Sequence, residues 1–156
     1  MENDEKTFKE LIHRQHDLIW RVCSSYRLSP AWTIEDAFHE VLCDLWRGLP
    51  DFDGRSAERT WVFRVATNTM ISLVRKAGNQ PTTPPPEHHE PSYRDEGYND
   101  LVGMIDALGE PDSTIVRAHV QGFSHAETAK SLGLSRAAVA MRLSRALKKI
   151  RKQYNQ

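Results

Sequence analysis

The prolines of this chain are concentrated in one segment: five of the eight lie between residues 78 and 98, where the apolar residues follow no helical or strand period. Proline fixes its own φ angle and lacks an amide hydrogen, so such a segment marks a linker rather than part of a core. It separates the 156 residues into two short parts. The sequence therefore predicts two small domains, 1–77 and 99–156, joined by a Pro-rich linker over 78–98.

The apolar residues of both parts recur at intervals of three and four, which is the period of an amphipathic helix. In the first part this pattern predicts a helix with an apolar stripe from Phe8 to Tyr26, a second helix after Thr33, and a third over 58–76. Prolines interrupt the pattern at the junctions. The predicted fold class is all-α, with a three-helix first domain and a helical second domain.

The charges are segregated although 21 basic and 21 acidic side chains give a net charge of zero. Residues 81–112 carry 1 basic and 8 acidic side chains, whereas residues 113–156 carry 9 and 1. A basic end behind an acidic middle is typical of a nucleic-acid-binding module beside a part with another role. A solvated basic helix would have the same composition, so charge alone leaves both interpretations open.

Several classes of protein do not fit this sequence. No stretch approaches the roughly 18 consecutive apolar residues of a membrane span, and the first ten residues lack the layout of a signal peptide, so we expect a cytoplasmic protein. Cys23 and Cys43 are too few for a disulfide framework, and we expect free thiols. Because no catalytic triad or phosphate-binding loop is visible, we expect a protein that is not an enzyme and uses no cofactor or metal.

The predicted second helix begins at an N-cap, Thr33, and carries an apolar stripe that includes Trp46. On its opposite face, acids recur at i, i+4 steps in Asp36, Glu40 and Asp44. Such a like-charge row weakens an isolated helix by roughly 0.2–0.5 kcal/mol per pair, so its presence suggests a basic partner. The row would also serve simply to keep the helix soluble.

A loop follows, and the glycine near its centre permits a positive φ angle. The loop and the third helix together carry a long pattern of fixed spacings: Phe52-x-Gly54-x-Ser56-Ala57-x-x-Thr60-Trp61-x-x-Arg64-x-Ala66-x-Asn68-Thr69. With Glu35-Asp36 and Leu45-Trp46 in the second helix, this pattern resembles region 2 of bacterial extracytoplasmic-function sigma factors. The resemblance implies that the acidic row docks on the clamp coiled coil of RNA polymerase. It also implies that the loop opens the minus-ten promoter element and holds a flipped base.

The resemblance assigns DNA contacts to particular residues. Those implied to contact the minus-ten element are Phe52, Gly54, Arg55, Ser56, Arg59, Trp61, Arg64 and Asn68. Asn68 can both donate to and accept from a base edge, while Arg59 and Arg64 can bind phosphates. Trp61 would also suit a core position. Glu58 stands where the family often has an aromatic residue, which affects the floor and the base preference of the pocket.

The second part contains the signals of a helix-turn-helix. Two short apolar helices are predicted around 100–108 and 112–121. After them, Ser124-x-x-Glu127 is a capping box that opens a short helix, and Gly133 supplies the left-handed residue that ends it. Ser135 then caps a longer, basic helix. Helix, glycine-containing turn and helix in this order predict a helix-turn-helix.

The last helix is of a size that fits the major groove, with its N-terminal residues at base edges. The pattern Gly-Phe-Ser-x-x-Glu-x-Ala-x-x-Leu-Gly-Leu-Ser-x-x-x-Val-x-x-Arg-Leu-x-Arg-Ala, which starts at Gly122, resembles sigma region 4, the reader of the minus-thirty-five element. The residues implied to contact it are Ser135, Arg136, Ala137, Ala140, Met141, Arg142, Ser144, Arg145 and Lys149. Of these, Arg142, Arg145 and Lys149 are expected at phosphates, although some could instead be solvated. The residues expected at base edges are Arg136, Ala137, Ala140, Met141 and Ser144. Ala137 and Ala140 depart from the residues usual in the family, so direct readout is expected to rest on apolar contacts or on groove shape.

The length of the predicted linker agrees with two separated promoter contacts. A polyproline-like segment of this length reaches about 65 Å, against about 25 Å for a flexible coil. Promoter elements about 18 base pairs apart are separated by roughly 60 Å. The family's linker threads toward the active-site cleft of the polymerase, so the linker acids are hypothesised to imitate phosphate charge there, although they also suit a plain solvated linker. These acids are Glu87, Glu90, Asp95 and Glu96, and the neighbouring His88-His89 pair is interpreted as incidental.

Taken together, the sequence predicts an extracytoplasmic-function sigma factor that binds core RNA polymerase, recognises promoter DNA and initiates transcription. The family also implies an anti-sigma partner. One alternative is a stand-alone helix-turn-helix regulator that binds an operator without polymerase and dimerises through its N-terminal helices. Another is a metal- or redox-dependent protein built on His39, Cys43 and Cys23, for which the sequence shows no convergent third ligand.

Overall fold

The computed structural model of the chain describes residues 2–78 and 96–155, and every regular element within them is helical. The helices are α1 (Glu2–Ser24), α2 (Ile34–Gly48), α3 (Glu58–Gly78), α4 (Glu96–Ala107), α5 (Asp112–Val120), α6 (His125–Leu132) and α7 (Arg136–Tyr154). A 3₁₀ turn, Leu49–Asp51, follows α2. Contacts divide the chain into two compact units: Met1–Ser24 with Leu28–Pro86, and Ser25–Arg27 with Glu87–Gln156. The all-α prediction is confirmed.

The three helices of the first unit pack against one another around one apolar core. Each contributes fully buried side chains, among them Ile19 from α1, Leu45 from α2 and Met70 from α3. Burial of one such side chain contributes about 1.5–3 kcal/mol, so a core of this kind holds the unit together without a disulfide. Cys23 of α1 is part of this core as a free thiol, and burial raises its pKa to about 12.

The start of α2 is fixed at Thr33, the N-cap that the sequence predicts, and its contacts form a capping box that the sequence analysis did not predict. The Thr33 hydroxyl accepts a hydrogen bond from the Asp36 amide at 3.1 Å, and the Thr33 amide donates to the Asp36 carboxylate at 3.1 Å. The capping box thus gives two backbone amides at the helix N-terminus a partner that the helix itself does not provide.

The apolar stripe of α2 is narrower than predicted. Val41 and Leu45 are buried, but Trp46 is 45% exposed. The prediction that Trp46 faces the core is wrong, because α1 covers its indole only from one side. There the edge of Phe8 meets the indole, with ring centroids 5.1 Å apart.

The four helices of the second unit surround a separate core. Its centre is formed by buried aliphatic side chains of α5 and α7: Ile115, Val116, Val139 and Leu143. Helix α6 packs on α7 and contributes Ala129. Tyr26, which the sequence assigns to the apolar stripe of the first helix, lies beyond the end of α1 and belongs to this second unit.

The second unit also contains a buried cation. Arg117 of α5 is only 3% exposed and forms an ion pair with Asp106 of α4. Its Nη2 donates to the Ser25 carbonyl at 2.8 Å, and its guanidinium carbon lies 3.5 Å from the ring centroid of Tyr26. A buried cation requires such partners, because removing an unpaired charge from water is strongly unfavourable.

The predicted helix-turn-helix is present in the second unit. The Ser124 hydroxyl accepts from the Glu127 amide at 3.1 Å, and the Ser124 amide donates to the Glu127 carboxylate at 3.2 Å. Gly133 ends α6 with a φ of 70°. The Ser135 hydroxyl then accepts from the Ala138 amide at 3.1 Å and caps α7. All three signals are confirmed, since each depends only on residues a few positions apart.

The helices reach further into the predicted linker than the sequence suggested. Helix α3 ends at Gly78 and α4 begins at Glu96, so residues 96–98 are helical. Residues 79–95 lie outside the described residues, and so do the predictions that concern them: the extended linker, its acids Glu87, Glu90 and Asp95, and the His88-His89 pair. Of the helices described, none is long and apolar enough to cross a membrane.

Candidate nucleic-acid interface

Helix α7 presents a basic surface that no acid of the helix interrupts. Its seven cations are Arg136, Arg142, Arg145, Lys148, Lys149, Arg151 and Lys152. Val139, Leu143 and Ile150 bury one side of the helix in the second unit, which directs the other side to solvent. The nine residues predicted at the minus-thirty-five element lie on α7 or at its N-cap, and all are exposed except Ala140, which is partly buried.

Arg142 differs from the other cations of α7. Its Nη1 lies 3.0 Å from Oδ1 of Asp112, an acid in the first turn of α5. Within the described ranges, no other cation of α7 has an ion pair. A partly exposed pair of this kind contributes at most about 1 kcal/mol to stability, but it fixes the direction of the guanidinium. A phosphate would have to compete with Asp112 for Arg142, whereas Arg145 and Lys149 present no such competition.

The loop between α2 and α3 has the backbone that its sequence predicts. Gly54 has a φ of 78°, a left-handed conformation that favours glycine. The next residue, Arg55, donates from its amide to Asp53 Oδ1 at 3.0 Å, and its Nε lies 2.9 Å from Oδ2. Aspartate commonly holds a turn in this way, by accepting from the amide two residues further on. Arg55, which the resemblance places at DNA, is therefore held by its own loop.

Two of the predicted minus-ten residues form an aromatic stack. The rings of Phe52 and Trp61 have centroids 4.7 Å apart and an interplanar angle of 26°. Trp61 is partly buried, and a Cβ placed on Gly48 would lie 3.3 Å from its Cζ2, so the glycine leaves room for the indole. Trp61 is thus neither a fully buried core residue nor an open stacking platform, because Phe52 covers one of its faces.

Glu58 is turned toward α1 rather than toward the loop. Its carboxylate accepts from Arg14 Nη2 at 2.6 Å and from Arg14 Nε at 3.1 Å, and Gln15 Nε2 lies 3.3 Å away. The hydrogen bonds from Arg14 hold the pKa of Glu58 below its ordinary value. This side chain ties the start of α3 to α1, and the aromatic ring that the family often has at this position is absent.

Helix α3 exposes two predicted minus-ten residues side by side. Arg64 and Asn68 are separated by one helical turn, and both are exposed. They offer a cation for a phosphate and an amide for a base edge. Arg59, at the start of the same helix, is partly buried and has an interaction of its own, and Ser56 is partly buried as well.

The acidic row of α2 is not the free face that the sequence predicts. The Thr69 hydroxyl of α3 lies 2.6 Å from a carboxylate oxygen of Asp44, and Arg47 Nη1 lies 3.0 Å from the other oxygen. Asp36 is used in the capping box of its own helix. The bond to Thr69 places Asp44 on the flank of α2 that faces α3, whereas Asp36, at the other end of the row, is exposed.

Three residues that hold the site in place were missed in the sequence: Arg14, Thr69 and Asp112. Each lies at least 25 positions from the partner it positions. Thr69 ends the region 2 pattern, and Asp112 is one of the acids of the negatively charged segment 81–112. Neither feature indicates which distant residue the side chain contacts.

A metal or redox centre receives no support from the described residues. No group of three or more His, Cys, Asp or Glu side chains within them could hold a metal ion. Cys43 is exposed on α2, whereas Cys23 is buried in α1.

Two family models match this chain, one for each unit. The model described as Sigma-70 region 2 matches residues 11–80, and the model described as Sigma-70, region 4 matches residues 98–150. The first match contains the loop and the exposed pair on α3, and the second contains the helix-turn-helix.

Similar proteins extend over most of the chain. The ECF RNA polymerase sigma factor SigM of Mycobacterium tuberculosis is 26% identical over 149 residues, which is 92% of this chain and 74% of the relative. Two solved structures share the fold. CnrH in complex with the cytosolic domain of CnrY has a TM-score of 0.72 at 22% identity, with 97% of this chain and 89% of that chain covered. The sigma factor RpoE in complex with the anti-sigma factor NepR from Bartonella quintana has a TM-score of 0.70 at 20% identity, with 94% and 96% covered. This chain belongs to the sigma-70 family, and it is an RNA polymerase sigma factor of the extracytoplasmic-function type, an initiation factor rather than an enzyme.

Proposed function

We propose that this sigma factor divides promoter recognition between two surfaces. The outer side of α7 binds the minus-thirty-five duplex, while the loop after α2 and the outer side of α3 open and hold the minus-ten element. The observation that carries the proposal is the acid-free basic side of α7, on a helix fixed by its cap and its core. Such a helix fits a major groove about 12 Å wide and meets the phosphates that border it.

The minus-ten assignment rests on Arg64 and Asn68. Extruding a base from a duplex costs roughly a few kcal/mol of stacking and pairing, which hydrogen bonds to the edge of that base offset. The amide of Asn68 can both donate and accept, and Arg64 beside it can bind the phosphates of the displaced strand. The stack of Phe52 on Trp61 would keep the loop in one shape around the base, and Gly54 would allow the backbone a close approach.

We assign polymerase docking to α2, through Asp36, Glu40 and Asp44. Asp36 and Asp44 already accept hydrogen bonds inside the unit. Only the lone pairs of their carboxylates that these bonds leave unused are available to a basic partner. No hydrogen bond or ion pair of Glu40 is seen within the described ranges, and its charge is therefore the least neutralised of the three. Substitution of Glu40 is expected to weaken docking without disturbing α2.

An anti-sigma partner and a cytoplasmic location are also part of the proposal. CnrH was solved with CnrY and RpoE with the anti-sigma factor NepR, so proteins of this fold are known in such complexes. In this chain, Trp20 of α1 and Trp46 of α2 are exposed aromatic side chains that a masking partner would cover. We place the protein in the cytoplasm because bacterial core polymerase works there.

Run-off transcription with core polymerase of the same bacterium on genomic fragments tests the division of labour. Asn68→Ala should bind promoter as closed complexes with near wild-type affinity but open them about tenfold more slowly, because a hydrogen bond to the flipped base is lost. Arg145→Ala should weaken closed-complex binding severalfold and leave opening unchanged. Arg21→Ala removes an exposed cation of α1 and serves as the control. Equal defects of both variants in both steps would contradict the proposal.

The stand-alone regulator makes a different prediction. It would bind an operator tightly in a mobility-shift experiment without polymerase and would sediment as a dimer. Membership of the sigma-70 family favours the polymerase-dependent function.

A further inference from the structure

The exposed side of α7 carries a short apolar stretch near the start of the helix, although the helix as a whole is basic. Residues 137–141 contain no charged or hydrogen-bonding side chain other than the methionine sulfur. Ala137 is exposed, and Met141 is 52% exposed, on the side of the helix away from the buried Val139 and Leu143. Packing within the unit therefore does not explain a methionine at this position.

Ala137 and Met141 form one patch, because residues four positions apart are neighbours on a helix. Ala140 borders the patch and is partly buried. Three arginines border the patch: Arg136 precedes Ala137, Arg142 is directed to Asp112 at 3.0 Å, and Arg145 lies one turn beyond Met141. Arginine is the usual reader of guanine, so a guanine contact would lie beside the patch and not at its centre.

One feature of DNA matches an apolar patch in the major groove. All base pairs present hydrogen-bond donors or acceptors there, but only thymine adds a methyl group, at C5. Alanine offers a methyl contact, and the flexible, polarisable methionine side chain adapts to the shape of what it touches. A thymine methyl between Ala137 and Met141 would be removed from water on both sides.

We propose that Ala137 and Met141 read the C5 methyl of a thymine in the upstream promoter element. The inference rests on the proposed role of α7 at that element and names the base feature that the helix recognises. Burial of the methyl group supplies the discrimination, and the cations on the rest of α7 supply affinity that does not depend on sequence.

The test uses the full chain bound to core polymerase of the same bacterium. Duplexes randomised over the upstream element are selected for closed-complex binding, and each thymine of the selected duplex is then replaced singly by deoxyuridine. This replacement removes the C5 methyl and changes no hydrogen-bonding group. We expect one replacement to weaken binding about fourfold, the ratio that corresponds to one buried methyl at about 0.8 kcal/mol.

Substitutions then locate the contact. Met141→Ala should bind the thymine and deoxyuridine duplexes with affinities that differ by less than about twofold, since the methyl loses its larger neighbour. Met141→Leu keeps an apolar side chain and should retain most of the ratio. Val120→Ala is the control, because Val120 is an equally apolar side chain of the second unit that is 67% exposed but lies outside α7. It should leave the fourfold ratio unchanged.

The outcomes separate this inference from the function on which it rests. Equal affinity for thymine and deoxyuridine at every selected position would overturn the inference, and so would an unchanged ratio in Met141→Ala or a selected duplex without thymine. In each of these cases the holoenzyme would still select a duplex, so the proposed function would stand. If the holoenzyme selected no sequence at all, the proposed role of α7 would itself be wrong.

Discussion

The two units differ in how the residues proposed to contact DNA are engaged. In the first unit the loop residues have internal partners, because Arg55 pairs with Asp53 and Phe52 stacks on Trp61, whereas Arg64 and Asn68 of α3 are exposed. In the second unit, six of the seven cations of α7 have no ion pair within the described residues. Substitutions in the loop of the first unit should therefore act through the shape of the loop, whereas those at Asn68 and on α7 should remove groups that contact DNA directly.

This difference follows from what each surface has to do. Holding one extruded base requires a pocket whose walls are already in place, since freedom lost on binding weakens the complex. Binding an intact duplex requires mainly positive charge along two phosphate backbones, and long side chains that remain mobile serve this purpose. In the proposed function, the internal pairs of the loop and the unpaired cations of α7 correspond to these two tasks.

The largest expected effect concerns the buried ion pair between Arg117 and Asp106 in the second unit. Arg117→Leu removes the cation that pairs with Asp106 and should lower the free energy of unfolding by about 3 kcal/mol. Chemical denaturation followed by circular dichroism measures the loss. Lys148→Leu, an exposed substitution on α7, is the control and should change stability by less than about 0.5 kcal/mol. A loss below about 1 kcal/mol for Arg117→Leu would mean that the pair does not hold the unit together.

The next prediction tests whether a cation of α7 contributes less to DNA binding when it already forms an ion pair within the protein. Arg145→Ala should lower the salt dependence of closed-complex binding by about one unit of slope, as expected for one lost phosphate contact. Arg142→Ala should lower it less, because Asp112 already neutralises part of that charge. Binding of the holoenzyme to promoter duplex at increasing KCl gives both slopes.

Asp112→Asn is the matched counterpart of these two variants. It removes the acid and leaves Arg142 in place, so the salt dependence should rise and binding at low salt should tighten roughly two- to tenfold. Identical slopes for Arg142→Ala and Arg145→Ala, together with no change in Asp112→Asn, would show that the ion pair has no influence on DNA binding.

Much of the fold was predictable because its signals are local. The N-cap at Thr33, the capping box at Ser124 and the left-handed glycines at 54 and 133 depend on residues within a few positions of one another. The helical period also identified which side of α7 is buried. These signals suffice for α7 because its surface is a single regular helix with one buried side.

The site of the first unit was less predictable because its contacts join distant positions. Glu58 meets Arg14 across 44 residues, and Asp44 meets Thr69 across 25. The helical period gives the approximate direction of a side chain around its helix axis. It does not show whether a residue at the edge of an apolar stripe is buried, because that depends on the position of the neighbouring helix. Trp46 illustrates this, since its stripe position predicted burial and the structure exposes it.

A smaller effect is expected from the pair that ties α3 to α1. The pKa of Glu58 is lowered in the folded state, chiefly by its hydrogen bonds from Arg14, so its ionised form stabilises the fold. Glu58→Gln should therefore lower the free energy of unfolding by less than about 1 kcal/mol at neutral pH, as for other partly exposed pairs. The difference from wild type should be full above the ordinary pKa of 4.5 and should disappear as pH falls through the lowered value. A difference that persists at pH 2 would contradict this ionic origin.

The smallest expected effect is a change in thiol reactivity, which reports how often the first unit opens. The only two cysteines, Cys23 and Cys43, both lie in that unit. In Cys43→Ser, the remaining Cys23 is buried with its pKa raised to about 12, so at pH 8 it should react with a disulfide reagent only when the unit opens. Adding Glu58→Gln to this background should speed the reaction by less than about fivefold, because a weakened tie between α1 and α3 makes opening more frequent. Cys23→Ser should leave the exposed Cys43, whose rapid reaction should not respond to Glu58→Gln. If Cys23 reacted as fast as Cys43, the core of the first unit would be open to the reagent in its native state, and the internal contacts that distinguish this unit from α7 would not form a stable scaffold.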